Sequence, residues 1–291
     1  MTWGFSSYET RFRWAAALWA VLMTVWCMCP LSWQVRLIGA AVWVAITVLS
    51  TLHFAWWRPR IARDIPIFLS MDGVAPDPIR EEYPKKTVTP EELRILVRNL
   101  LAAGYRFQTV HEAVTAPVRK AVVLTFNGGT RDGLGYLLPI LKQYGVKATC
   151  FVPGDGETAS DEFHLKPLEL REMARSGLVG FGGTLPPETP ADTDPETLTH
   201  MIRRNRHWLS GILGRLPTAF AYPNGKYSEP FENALRAAGY TIAFEDAKVM
   251  RRIDEAPFRV HRRPIPRGLL PWQAYLLATR GRYRVGSFRV R

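Results

Sequence analysis

Short apolar runs alternate with helical segments through residues 64–280 of this 291-residue chain. Residues 121–126 read AVVLTF, and residues 148–152 read ATCFV. Near-continuous apolar runs of this length are typical of parallel strands that are buried on both faces. A helix is predicted between them over residues 134–144, because Gly145 supplies a C-terminal stop. Repetition of this pattern predicts a parallel α/β architecture.

The other predicted elements rest on the same periodicity, caps and stops. Thr89, Pro90 and Glu92 form a capping box with proline at the first helical position. Further helices are predicted over residues 90–103, 110–116, 168–176, 195–213 and 228–238, and further strands over residues 65–69, 105–110, 178–181, 218–222 and 241–244.

Composition excludes several other classes of protein. Hydrophobic residues make up 47% of the chain and charged residues 22%, which is ordinary globular usage and argues against a disordered, collagen-like or coiled-coil chain. The three cysteines are Cys27, Cys29 and Cys150, and no CxxC pair occurs. Neither a disulfide framework nor a cysteine zinc site is expected.

Two uncharged runs stand at the N-terminus, over residues 14–31 and 37–57. A helix of about 20 apolar residues crosses a bilayer, so the runs predict a two-span membrane hairpin within a domain of residues 1–63. A buried helical pair and, for the first run, a cleaved signal peptide are the alternatives. Five arginines flank the hairpin and one, Arg36, lies in its turn. This bias predicts an inner-membrane protein with its N-terminus and C-terminal domain in the cytoplasm.

Four segments of the chain resemble one known family. Residues 124–152 read LTFNGGTRDGLGYLLPILKQYGVKATCFV, residues 220–228 read FAYPNGKYS, residues 234–244 read ALRAAGYTIAF and residues 65–74 read IPIFLSMDGV. In order and spacing they resemble the motifs of NodB-type polysaccharide deacetylases. The resemblance implies a distorted (β/α) barrel over residues 64–279, with a groove at the carboxyl ends of the strands. It also suggests that the domain faces the outside of the cell, whereas the arginine distribution predicts a cytoplasmic domain.

The resemblance implies metal-assisted hydrolysis of an acetyl group. In that family one aspartate of a T-F-D-D-G motif is the general base, and the second aspartate and two histidines hold a divalent metal. The metal acidifies its bound water and polarises the acetyl carbonyl.

This sequence departs from the family pattern at the positions that carry the chemistry. The base position is Asn127, whose amide cannot accept a proton at neutral pH, and the metal aspartate position is Gly128. The two histidine positions become Thr184 and Glu188, and the entry-strand histidine becomes Asp72. We therefore expect no bound metal, no other cofactor and no ordinary acetyl hydrolysis.

A different site at the same groove is the alternative. Asp72, Asp132 and Glu188 could converge on the groove, although lone acids are mostly solvated. His261 could act as a general acid, although no base lies near it in sequence. The turn formed by Tyr222, Pro223 and Asn224 is expected to form a wall of the groove.

The C-terminus, residues 280–291, is a predicted basic tail. Its five arginines are expected either to be solvated or to bind anionic lipid or phosphate; they are Arg280, Arg282, Arg284, Arg289 and Arg291. Nucleic acid is not expected, because no recognition motif accompanies the charge.

Three functions follow from these observations. The first is a membrane-anchored pseudoenzyme that binds glycan or a partner, such as a polysaccharide synthase complex, and regulates exopolysaccharide assembly. The second is an active hydrolase of carbon–nitrogen bonds, a deacetylase of an N-acetylglucosamine polymer with a non-standard, zinc-like site. The third is a cytoplasmic module that binds lipid or nucleotide.

Overall fold

The computed structural model describes most of the chain outside its termini and several loops. The described residues are 8–30, 32–53, 65–76, 86–131, 133–154, 164–190, 193–246 and 253–281. Its helices are α1 (Tyr8–Met28), α2 (Trp33–His53), α3 (Pro90–Ala102), α4 (Val110–Thr115), α5 (Leu138–Tyr144), α6 (Pro167–Arg175), α7 (Pro195–Leu213), α8 (Glu229–Ala237) and α9 (Pro271–Arg280).

The two N-terminal helices form a pair. The rings of Trp19 and Trp43 lie 4.2 Å apart between centroids, and the Trp19 indole donates to the Thr47 hydroxyl at 2.9 Å. Among the described residues, no helix combines the length and the apolar character that crossing a membrane requires. The predicted two transmembrane helices and the two-span inner-membrane localisation are therefore wrong. The cytoplasmic placement predicted from the arginine count depended on this hairpin and is withdrawn with it.

The strands build one large sheet and one small one. They are β1 (Ile67–Met71), β2 (Gly73–Val74), β3 (Thr87–Val88), β4 (Arg106–Phe107), β5 (Ala121–Asn127), β6 (Ala148–Val152), β7 (Val179–Gly183), β8 (Ala219–Ala221), β9 (Ile242–Glu245), β10 (Val260–His261) and β11 (Arg263–Pro264). The large sheet runs β10-β9-β8-β7-β6-β5-β1-β11, with β4 also on β5, and every pairing in it is parallel. Strands β2 and β3 form the small parallel sheet.

One short segment brings the two edges of the large sheet together. Strand β10 pairs with β9, and strand β11, which begins two residues later, pairs with β1 on the opposite edge. Only Arg262 lies between β10 and β11. The sheet is therefore a nearly closed parallel barrel, and the predicted (β/α) barrel is confirmed.

The barrel is filled by apolar side chains below its polar end. The ring centroids of Phe68 on β1 and Phe244 on β9 lie 4.9 Å apart, although these strands are not neighbours in the sheet. Phe151 joins them, at 5.6 Å from Phe244. A Cβ at Gly182 would lie 2.5 Å from the Phe151 ring, so glycine leaves room for it. We call Phe68, Val123, Phe151, Ala219 and Phe244 the lumen floor; all are buried.

The outer layer packs the helices on the sheet. The opposite faces of β1, β5 and β6 carry residues of a larger apolar cluster, which α3, α5, α6, α7 and α9 complete. Alternate residues of a strand point to opposite faces, which separates lumen from outer layer along each strand. This alternation sets which side chains reach the open end of the barrel.

Candidate functional site

Polar side chains replace the apolar floor where the strands end. Along β1 the inward sequence is Phe68, then Ser70, then Asp72 just beyond the strand. Along β5 it is Val123, Thr125 and Asn127. Asp246 follows β9 directly, and Arg262 lies at the seam between β10 and β11. The carboxyl ends of parallel strands form the usual place for sites in such barrels.

The Asn127 side chain is held from both ends. Its Nδ2 donates to Asp72 Oδ1 at 3.0 Å, and its Oδ1 accepts from Arg262 Nη1 at 2.9 Å. The amide thus sits between an anion and a cation, with one hydrogen bond to each. An amide is not a base at neutral pH, whichever of its atoms is hydrogen-bonded.

Arg262 is the most buried charge of this group. Its side chain is 0% exposed, and its Nη2 lies 3.1 Å from Asp246 Oδ1. The guanidinium also lies over the Phe151 ring at 5.4 Å from the centroid, and Nη1 is 3.4 Å from the Thr125 hydroxyl. The lumen floor and the polar end therefore meet at this residue.

Lys86 closes the group from the side of the small sheet. Its Nζ lies 2.7 Å from Asp246 Oδ2 and 3.7 Å from Asp72 Oδ1. Two cations and two anions are thus assembled here. We call Asp72, Lys86, Asn127, Asp246 and Arg262 the mouth cluster.

Asp246 is kept ionised by its surroundings. Burial by itself raises the pKa of this carboxyl, but the charges of Arg262 and Lys86 and the Lys86 hydrogen bond outweigh burial, so the pKa is lowered from its ordinary value. The turn at Pro223–Gly225 packs directly on it: Asp246 N donates to Gly225 O at 2.9 Å. A Cβ at Gly225 would lie 2.5 Å from Asp246 Cβ, so this close approach requires glycine.

The residues present do not fit a divalent metal at the family position. Gly128 offers no side chain, and its φ of 91° disfavours an aspartate there. The Thr184 hydroxyl is buried and donates to Ala221 O at 2.8 Å, while Glu188 is exposed on the loop beyond β7. Two cations, Lys86 and Arg262, already lie against the carboxylates. Within the described part of the chain, no group of three or more His, Cys, Asp or Glu side chains is arranged to hold an ion.

Several other predicted site residues are not members of the mouth cluster. Tyr222 is buried, and its hydroxyl donates to Phe258 O at 3.0 Å, so its polar atom is used within the protein. Burial raises its pKa. Pro223 is half-buried, and Asn224 is exposed with its Nδ2 donating to Pro187 O at 2.9 Å. Asn224 has a φ of 53°, which asparagine tolerates better than most residues.

His261 is buried beside the mouth cluster, and its charge and that of Asp246 act on each other. It is the neighbour of Arg262 in an extended segment, so the two side chains point to opposite faces. Burial, followed by the charge of Arg263, lowers the pKa of His261 to about 4. With this pKa the imidazole is neutral at neutral pH, and the general-acid role of His261 stays a prediction.

Some predicted residues fall outside the described part of the chain. Asp132 is one, and the arginines at 282, 284, 289 and 291 are others. Arg280 is described and ends α9. The expectation of lipid or phosphate binding by the basic tail therefore stays a prediction.

Three members of the mouth cluster were not found from sequence. Lys86, Asp246 and Arg262 match no motif that was recognised. The available signal was positional: Asp246 comes two residues after a predicted strand at residues 241–244, and Asn127 directly follows its own apolar run.

Comparisons with known proteins agree with this architecture. The family described as Polysaccharide deacetylase matches residues 115–243. YxkH of Bacillus subtilis (strain 168), which is named as a polysaccharide deacetylase, is 24% identical over 221 residues, covering 74% of this chain and 76% of that protein.

Solved structures show the same fold. Streptococcus pyogenes deacetylase PplD in complex with acetate matches with a TM-score of 0.63 and 22% identity, covering 76% of this chain and 98% of that one. IcaB from Ammonifex degensii matches with a TM-score of 0.61 and 21% identity, covering 74% and 96%. The fold is that of polysaccharide deacetylases, and the sequence matches support the resemblance to that family.

Proposed function

We propose that this chain is a non-hydrolytic member of the polysaccharide deacetylase family that binds a glycan at the mouth of its barrel. In this role it would act through a partner, regulating the assembly of an extracellular polysaccharide rather than cutting acetyl groups from it. The family match and the barrel support the class of ligand. The mouth cluster supports the loss of hydrolysis.

The observation that carries the proposal is the state of Asn127. The position that needs a proton acceptor holds an amide bonded to Asp72 on one side and to Arg262 on the other. General base catalysis requires a group that can take up the proton of water. An amide fixed between a carboxylate and a guanidinium cannot do so.

The mouth cluster still suits a polyhydroxylated ligand. Lys86 and Asp72 keep side-chain exposures of 24% and 15%, so a donor and an acceptor are accessible from solvent. Their charges are balanced by Arg262 and Asp246, which favours a neutral sugar over a charged one. Orientation of a ligand by a few placed polar groups is typical of carbohydrate and small-molecule sites.

The test compares binding and turnover in one preparation. Purified full-length chain is incubated with N-acetylated chito-oligomers and zinc or cobalt, and released acetate is measured. Oligomer binding is followed by calorimetry. We expect binding without acetate release. A variant carrying Asn127→Asp, Gly128→Asp, Thr184→His and Glu188→His is measured beside it.

Acetate release by the unaltered chain, dependent on added metal, would refute the proposal and favour an active deacetylase with a non-standard site. Absence of oligomer binding would refute the glycan role. Any acetate release that only the fourfold variant shows would confirm the alignment of the motifs. The left-handed φ of Gly128 makes that variant strained, so Asn127→Asp alone is the folding control.

A further inference from the structure

We propose that Lys86 is the resident cation of the mouth cluster, holding Asp72 and Asp246 together as a metal ion holds carboxylates and excluding divalent ions from the site. The inference deepens the proposed non-hydrolytic function, on which it rests. It assigns a role to a residue that belongs to none of the recognised motifs.

The two carboxylates need a cation because of where the strands put them. Asp72 follows β1 and Asp246 follows β9, so they stand on either side of the seam that Arg262 fills. Arg262 Nη2 faces Asp246 Oδ1, which leaves Oδ2 of the same carboxylate for Lys86 Nζ at 2.7 Å. Lys86 Nζ also lies 3.7 Å from Asp72 Oδ1. One ammonium thus neutralises charge on both sides of the seam.

Backbone pairing places Lys86 next to Asp72. Lys86 directly precedes β3, which pairs with β2, and β2 follows Asp72 by one residue. The Asp72 amide donates to the Lys86 carbonyl at 3.1 Å. The backbone that carries the cation is therefore tied to the backbone that carries one of its carboxylates.

Charge balance decides which ions the site accepts. With Lys86 and Arg262 against Asp72 and Asp246, the cluster has no formal excess charge, and a divalent ion would meet two cations at close range. Without Lys86 the same cluster carries one excess negative charge and two carboxylates that had shared one ammonium, and hard divalent cations prefer such oxygen ligands. Removal of one side chain should therefore convert an excluding site into an accepting one.

The experiment measures Mn²⁺ binding to the full-length chain by electron paramagnetic resonance and calorimetry. Lys86→Ala is compared with the unaltered chain and with Lys142→Ala, which removes an exposed lysine in the last turn of α5. We expect Lys86→Ala to bind one Mn²⁺ at least about tenfold more tightly than either of the others, a difference of about 1.4 kcal/mol. Lys86→Arg, which keeps the charge, should behave as the unaltered chain.

A thermal scan guards against misfolding. A ligand that binds only the native state raises the unfolding midpoint, so added Mn²⁺ should raise the midpoint of Lys86→Ala and leave that of Lys142→Ala unchanged. If Lys86→Ala does not fold, Lys86→Gln gives the same comparison with a neutral side chain of similar reach.

Two results would overturn the inference. One is tight Mn²⁺ binding by the unaltered chain. The other is equally weak binding by the unaltered chain, Lys86→Ala and Lys86→Gln. The proposed function fails on a separate readout, acetate release, so the two can fail independently. Gain of Mn²⁺ binding by the neutral variants alone would support the inference.

Discussion

The lumen floor and the mouth cluster lie in the same barrel on the same strands, yet the floor consists of apolar side chains and the mouth of charged and amide side chains. Phe68 leads to Asp72 along β1, Val123 leads to Asn127 along β5, and Phe244 leads to Asp246 along β9. A ring or methyl group is separated from a charge or amide by four residues along β1 and β5 and by two along β9. The floor is held by apolar contact, whereas the mouth is held by hydrogen bonds and ion pairs.

The difference separates what keeps the fold from what defines the chemistry. Apolar contacts tolerate little change in volume, so a floor of this kind preserves the barrel. The mouth can exchange one balanced set of charges for another while the strands beneath it stay in place.

The largest expected effect is on the floor. Phe244 is 0% exposed and contacts both Phe68 and Phe151. Phe244→Ala should lower the free energy of unfolding by about 3–5 kcal/mol, because it removes buried area and leaves a cavity. Urea unfolding of the full-length chain measures it.

The matched control is Leu168→Ala on α6, where the side chain is 74% exposed. It should change the unfolding free energy by no more than about 0.5 kcal/mol. Similar values for the two variants would mean that the floor does not carry the fold.

Sequence reasoning was strongest where local pattern decides the structure. The predicted bounds of β6 and α7 match those observed. Helix α7 begins after Asp194, whose side chain caps the Thr197 amide, and ends at Gly214 with a φ of 70°. Both signals are readable in the sequence.

It was weakest where distant contacts decide the structure. Strands β10 and β11 have two residues each, too few for any periodicity, and they exist because the barrel closes there. Helix α9 was missed because seven of its ten residues are buried, so no polar face marks it as a helix. The first turn of the helix predicted from residue 134 is a π-helical turn over Gly133–Leu137.

The site divides in the same way. Asn127 and Asp72 were located because motifs surround them. Lys86 and Asp246 are 160 residues apart in sequence, and Arg262 and Asn127 are 135 apart. Each pair meets only once the barrel closes, and no local pattern encodes that contact.

A smaller effect on stability is expected at Arg262, where the lumen floor meets the mouth cluster. Arg262→Met leaves the Asn127 carbonyl without its donor and Asp246 with Lys86 alone. It should cost about 3 kcal/mol of unfolding free energy, the lower end for a broken buried ion pair, since Lys86 still neutralises Asp246. Combination with Asp246→Asn should cost less than the sum of the single changes.

Arg94→Met is the control for that change. Arg94 pairs with Glu91 at 3.6 Å on the exposed face of α3. Surface pairs of this kind are worth about 0–1 kcal/mol. If Arg262→Met costs no more than Arg94→Met, the mouth cluster contributes nothing to the barrel, and the floor alone holds the closure.

The smallest expected effect is on how the free energy of unfolding depends on pH. His261 and Asp246 should contribute to this dependence in different pH ranges. His261 faces the outer layer, and its pKa of about 4 in the folded chain compares with 6.5 for the free side chain. The unfolded chain therefore binds more protons between these values, and stability falls as pH falls from about 6.5 to about 4, by on the order of 2–3 kcal/mol. His261→Gln should remove this dependence.

The mouth should lose stability only at lower pH. The pKa of Asp246 is lowered from 3.8, so its contribution is complete above that value and is lost as pH falls further through the folded pKa. Asp246→Asn should flatten the profile below about pH 4, and His261→Gln should flatten it above. Unfolding free energies from urea titrations at half-unit pH steps separate the two windows. If Asp246→Asn removed the loss between pH 6.5 and 4, the mouth and the outer layer would titrate as one network, and the division between the two faces of this strand would be wrong.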